Sequence, residues 1–296
     1  MTHTSLATVD FTLADCAPMP RPTRVLFAQP DHFRIDYVIN AHMEGAIGSV
    51  NQTVAQAQWS DLVEAYSTLG LETQVIETHP DLPDMIFCAN QSLPFWHPHT
   101  GKRGVLMSQM ATPERAPEVA HVQRFFEDEV DVVHPLPEGV GPFEGMGDAL
   151  WHPGRALLWG GYGYRTNREA YEVMSEYFGC PVLLLELTDP DFYHLDTCLS
   201  VIDEHTALYF PDAFTPDGLT LLQAFFSNLI EAPEDEARRL FACNAHSPDG
   251  KHIIIQSGCT VTNDRLRAHG FTPIQVETGE YLKAGGSVFC LKLMYW

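Results

Sequence analysis

Positive charge is scarce in this chain of 296 residues: 17 Lys and Arg stand against 39 Asp and Glu, a formal net charge of −22 at pH 7. Binding nucleic acid or an anionic membrane needs a surplus of Lys and Arg to displace counterions, so neither partner is expected and small cationic ligands are favoured. No apolar run approaches the roughly eighteen residues of a membrane-spanning helix. The first residues also lack the basic start and apolar stretch of a secretory signal, which leads to the expectation of a cytoplasmic protein. Regular cysteine spacing is missing too. The seven cysteines, at 16, 88, 180, 198, 243, 259 and 290, contain no C-x-x-C, so reduced thiols are expected instead of a zinc site or a disulfide framework. His97-Pro98-His99 is the only close histidine pair and has no third ligand nearby in sequence, which reads as a surface turn; no metal is expected.

What the chain has is apolar material, 45% of its residues, and a repeated alternation of strand-like and helix-like segments. Residues 1–22 read as a polar tail leading into RVLFAQ, and residues 23–296 as one catalytic domain. Strands are expected at TQVIE, MIFCAN, GVLMSQ, VDVVHPL, RALLWGG, PVLLLEL, FYHLDTCLSVI, TALYF, HIIIQS, TPIQVE and GGSVFCLKLMY. Helices are expected over 51–69, from Pro113 through HVQRFFEDE, and over 167–178, 216–229 and 262–270. Residues able to do chemistry recur once per unit: Asn90, Glu144, His194, Asn244 and Cys290 are separated by 54, 50, 50 and 46 positions. Repeats of about 50 residues point to a propeller or solenoid, in which equivalent positions converge on one axis. The alternative is a doubly wound α/β sheet with its ligand at the strand ends.

Cys290 follows Gly285-Gly286, glycines that permit close approach of another group, and so reads either as a small buried hydrophobe or as a nucleophile. Cys198 ranks second. Alternation along FYHLDT puts His194 and Asp196 on one face of a strand. FEGMGD resembles a phosphate loop only superficially, because no Lys-Ser/Thr follows and no helix is expected to open there; its two carboxylates, Glu144 and Asp148, suit a cation better. MIFCAN ends in the amide of Asn90 and is preceded by Asp84. A thiol, an imidazole and several carboxylates together attract a planar guanidinium, and a bound cation in turn favours the thiolate.

These residues resemble the guanidino-group-modifying enzymes, which include arginine deiminases, dimethylarginine dimethylaminohydrolases, arginine dihydrolases and amidinotransferases. The likeness covers about residues 24–295. It rests on DHFRIDYVIN, PDMIFCAN, FEGMGD, GYGYRTN, HLDT and KAGGSVFC in that order. The resemblance implies a five-bladed α/β propeller, the pentein fold, of repeated ββαβ units. It implies that Cys290 attacks the guanidinium carbon to give a covalent thiouronium-type intermediate, that His194 moves the protons, and that Glu144 pairs with His194 or with the substrate nitrogens. Asp196 would grip the guanidinium and Arg165 the α-carboxylate, with Asn40, Asp84, Asn90, Asp148 and Gln109 completing the substrate-binding set. Three positions depart from the common pattern. Asn90 stands where deiminases place Asp and is similar to the dihydrolase branch; Gln109 stands where an arginine is expected; Met146 replaces an acid.

The expected function is a cofactor-free, cysteine-dependent hydrolase of guanidino C–N bonds, acting on arginine or a methylated arginine. Three alternatives stay open: an amidinotransferase, a non-catalytic guanidine-binding protein, and a metal hydrolase using His194, Asp196 and Glu144. A homo-oligomer is allowed, and the sequence does not fix whether one or two nitrogens are released.

Overall fold

The computed structural model describes residues 1–296. Its strands are short apolar runs such as VLLLE and HIIIQ, buried on both faces as parallel strands require. They form five separate sheets, none with more than four strands, so the chain is a mixed α/β protein without one doubly wound sheet.

One pattern recurs in four of the sheets: a first strand pairs antiparallel with a second, which pairs parallel with a third. The series runs Ser92–Trp96, Arg103–Met107, Val132–Pro135; then Ala149–Trp151, Leu158–Tyr162, Val182–Glu186; then Leu199–Val201, Thr206–Tyr209, Asn228–Glu231. In the fourth case the first strand, Leu293–Tyr295, comes from the far end of the chain and pairs with Arg24–Ala28, which pairs with Glu72–Ile76. The remaining sheet pairs His252–Gln256 with Thr272–Val276, and a single bridge from His246 to Ile254 stands in for its first strand.

Parallel neighbours cannot be joined by a tight turn, and a helix spans the second and third strands every time. These helices are Gln52–Thr68, Glu118–Glu129, Arg168–Phe178, Pro216–Phe225 and Thr260–Ala268. Local chemistry sets their ends. The Asn51 side chain accepts from the Val54 N–H, Thr215 accepts from Gly218 N–H ahead of Pro216, and Gly179 ends its helix at φ 60. The apolar faces they bury build two clusters, a large one around Trp159, Phe178 and Leu184 and a smaller one around Phe27, Tyr66 and Tyr281.

Several expectations are corrected. MIFCAN is not a strand: Pro83–Ile86 is a helical turn and the strand begins at Ser92. HLDTC is a helical turn, Leu195–Cys198, capped by His194, and FEGMGD likewise contains one at Gly145–Asp148. Cys290 sits in a turn ahead of the strand Leu293–Tyr295, and the helix expected from Pro113 starts at Glu118. The supposed tail is packed down. Thr2–His3 pairs with Val182 and Leu183, Cys16 and Met19 are buried, and the Met19 N–H donates to the Gly154 carbonyl at 3.0 Å. No helix is long and apolar enough to cross a membrane.

Candidate active site

Each first strand is preceded by a turn, and the turns carry the chemistry. Asn90 lies just before Ser92, Asp148 before Ala149, His194 and Asp196 before Leu199, Asn244 before His246, and Cys290 before Leu293. The spacing near 50 residues is thus a structural period.

Cys290 is buried, and its segment hangs on one side chain. Asn244 Oδ1 accepts from the backbone N–H groups of Ser287 at 3.1 Å, Phe289 at 3.0 Å and Cys290 at 3.4 Å. Asn244 Nδ2 donates to the Asp196 carbonyl at 2.9 Å and to Cys290 Sγ at 3.2 Å. The thiol itself donates to Asp196 Oδ2 at 3.2 Å. Burial pushes the thiol well above its ordinary range, and the Asp196 charge pushes the same way. Burial also pushes the Asp196 carboxyl up to about 7, against the thiol hydrogen bond and Lys292, which favour its ionised form. Without a cation the sulfur therefore keeps its proton. Gly286 is required beside it, because any side chain there would run into the Phe87 ring.

Glu144 is the second anchor. It accepts from His194 Nε2 at 2.7 Å, Arg165 Nη1 at 3.2 Å and the Ala111 N–H at 2.9 Å. Burial would raise its carboxyl, but the His194 hydrogen bond, the imidazole charge and Arg165 outweigh burial and hold it down at about 2. A permanent carboxylate on the imidazole fixes the ring's orientation. Asp148 accepts from the Thr166 hydroxyl at 2.7 Å and the Leu195 N–H at 3.0 Å, tying the Gly145–Asp148 turn to the His194 turn; burial raises it to about 6. Arg165 also donates to the Ile39 carbonyl at 2.6 Å and lies 4.9 Å over the Tyr193 ring.

A narrow cavity, with room for about 10 Å³, reaches Cys290, and Asp84, Asn90, Arg115, Arg165, Tyr193 and Asn40 are among its walls. Asn90 Oδ1 accepts from Arg115 Nη1 at 2.9 Å, which leaves Asn90 Nδ2 without a partner. Asp84 accepts from the Tyr37 hydroxyl at 2.8 Å and keeps its other oxygen unpaired; burial raises its carboxyl. Asn40 spends its amide on the Ala284 carbonyl at 3.0 Å and on capping the turn at His42 and Met43. Gln109 is not brought to the cavity: its amide donates to the Leu136 and Pro137 carbonyls at 3.0 and 3.1 Å. Met146 faces another cavity, beside Trp151 and Phe289.

Arg115 is a cavity residue that sequence reasoning missed. It is buried, paired with Glu118 at 2.9 Å, and it donates to the carbonyls of Asp84 and Phe87 as well as to Asn90. The only local signal is a Glu three residues on, at the start of a helix, in an otherwise polar segment. All seven cysteines are free and buried, and Cys198 is spent on backbone carbonyls of its own turn. His99 contacts the Gly179 carbonyl, and no three His, Cys, Asp or Glu side chains are grouped to hold a metal.

No family model matches the chain. It is 36% identical over 275 residues to an N(G),N(G)-dimethylarginine dimethylaminohydrolase of Mycobacterium tuberculosis, covering 93% of this chain and 86% of that protein. It is 32% identical over 280 residues to the bifunctional arginine dihydrolase/ornithine cyclodeaminase ArgZ of Synechocystis sp., covering 91% of this chain but only 37% of that longer protein. Among solved structures, the substrate-bound N-terminal domain of ArgZ superposes with a TM-score of 0.84 at 32% identity, over 92% of this chain and 97% of that one. A variant of the same domain is covalently bound to a reaction intermediate.

Proposed function

The chain belongs to the family of the dimethylarginine dimethylaminohydrolases and arginine dihydrolases, hydrolases of guanidino C–N bonds, and from that premise we propose that Cys290 is its nucleophile and arginine or a methylated arginine its substrate. The observation that carries the proposal is a thiol held by Asp196 and Asn244 at a cavity that Arg165 also lines, with Arg165 bonded to the carboxylate that holds the His194 imidazole.

The guanidinium enters with its N–H groups toward Asp196 and Cys290. Its charge offsets the burial that keeps the thiol protonated, so substrate binding itself generates the thiolate. Cys290 Sγ attacks the guanidinium carbon. His194, carrying a proton with Glu144 behind it, gives that proton to the departing nitrogen, and a thiouronium-type intermediate remains. The neutral imidazole then takes a proton from water, whose oxygen adds to the same carbon, and collapse releases the sulfur. Arg165 is the cation placed to meet a substrate carboxylate, at the expense of its contact with Glu144. Asp148 acts by fixing the His194 turn, while Asp84, Asn90 and Asn40 shape the wall that receives the rest of the substrate.

We take the five sheets to be five blades about a common axis, with residues 23–296 as one catalytic unit. The recurring strand order and the origin of the site in equivalent turns support that arrangement. No cofactor enters the chemistry.

Cys290→Ala is expected to lower turnover by about 10³-fold or more with the far-UV and near-UV circular dichroism unchanged. A variant that still turns over rules out the thiol mechanism. Incubation with arginine, with and without glycine, identifies the acceptor. Citrulline means loss of one nitrogen, ornithine with ammonia means loss of two, and guanidinoacetate would show transfer to an amine instead of water.

A further inference from the structure

Lys292 lies two residues beyond Cys290, is wholly buried, and its Nζ has no hydrogen-bond partner. The nitrogen rests 3.2 Å from the centroid of the Phe289 ring, which gives it a π face but no acceptor. The other three lysines, at 102, 251 and 283, all reach solvent. A buried ammonium without an acceptor is unfavourable unless negative charge lies nearby. Burial accordingly pushes Lys292 down to about 7, while Asp196, Cys88 and Cys290 act to raise it. These are the groups that face it from the turn at Leu195–Cys198, from the turn ahead of Ser92, and from its own segment. On a further side His246, driven down by burial and then by Lys292 and Arg21, carries no charge; Arg115 is the next cation sensed by Asp196 and Cys88.

Attack on the substrate needs a thiolate next to the Asp196 carboxylate, with only 3.2 Å between sulfur and oxygen. Two buried anions that close require two cations, and the guanidinium supplies one. We propose that Lys292 supplies the other, as a positioning residue that acts through Cys290 and Asp196: its amine takes up a proton as the thiol loses one, when the guanidinium binds. The proton count balances, because one S–H bond breaks and one N–H bond forms, so the buried cluster takes in the substrate without a net change in its own charge. Asp196 Oδ1, like Lys292 Nζ, is buried without a hydrogen-bond partner. The role rests on Cys290 being the nucleophile.

The test uses guanidinium chloride at non-denaturing, millimolar concentration as the probe and the full chain throughout. Thiolate absorbance at 240 nm, taken as the difference from Cys290→Ser, gives the pH midpoint of thiolate formation with the probe bound. Lys292→Met is expected to move that midpoint up by about one unit, ten-fold less thiolate at a given pH, and to release a proton on binding where the native protein releases none. Lys292→Arg is expected to restore the midpoint. With only four lysines, ¹⁵N-lysine NMR of the unmodified protein gives an independent measurement, in which the Lys292 midpoint rises when the probe binds. An unchanged thiolate midpoint in Lys292→Met overturns the proposal, as does an unmoved Lys292 signal if that variant does not fold. Should Cys290→Ala retain turnover, the nucleophile assignment fails first; an inactive Cys290→Ala with an unmoved midpoint removes the role of Lys292 alone.

Discussion

Glu144 receives three donors on two oxygens, and its replacement separates chemistry from binding. In Glu144→Gln the side chain keeps its shape but loses the charge that faces the His194 ring. The expected result is a fall in kcat of about 10²-fold, within the range for a general acid–base pair, with a much smaller change in KM. Its carboxyl is held near 2 in the folded protein against an ordinary 4.5. A depressed carboxyl contributes stability that is complete above 4.5 and is lost as pH falls through about 2. Acid unfolding of the Gln variant, followed by circular dichroism, is therefore expected to be less steep across that window. Residue type and chain order sufficed to single out Glu144, His194, Asp196 and Cys290, which the fold brings into two hydrogen-bonded pairs. Arg115 and Lys292 escaped because their significance lies in burial, which nothing local announces: Arg115 sits in a polar loop, and alternation along LKLMY gives no reason to expect a buried ammonium at 292.

At the scale of elements, the turns matter more than the strands they precede. Gly147 stands where a side chain would collide with Asn90 Nδ2 and come within 3.3 Å of the His194 ring. Gly147→Ala is expected to displace one of these groups and lower kcat/KM by about 10²-fold, with thermal unfolding shifted by only a few degrees. A normal rate in that variant would mean that the two groups need not approach so closely. The sequence reads the His194 turn as a strand for a physical reason. His194 and Asp196 are two apart, a spacing that fits one face of a strand and also fits a short turn whose Thr197 hydroxyl bonds back to the His194 carbonyl at 2.6 Å. FEGMGD reads as a loop, and its two glycines hide a helical turn, since glycine is a poor helix former and Gly145 takes φ 54. The longer apolar runs, PVLLLEL and HIIIQS among them, carried no such ambiguity and are strands as expected.

Over the whole molecule, the repeat was legible from the placement of reactive residues, while the packing of residues 1–22 was not. That segment is polar on average, and its few anchors, Cys16, Met19 and the edge pairing of Thr2–His3, are too sparse to form a pattern. Deleting residues 1–22 is expected to remove about 3 kcal/mol and lower the melting temperature by about 6 °C or more, measured by calorimetry. Turnover per folded molecule should persist, because the Cys290 cavity draws no wall from that segment.

The pairing of Leu293–Tyr295 with Arg24–Ala28 has a temporal consequence. A ribosome makes the segments of four repeats, those carrying Glu144 and His194 included, before it reaches Cys290, and the sheet begun by residues 24–28 lacks its edge strand until then. On the proposed mechanism, the nascent chain gains its nucleophilic thiol in the same stretch of synthesis that supplies the missing edge strand.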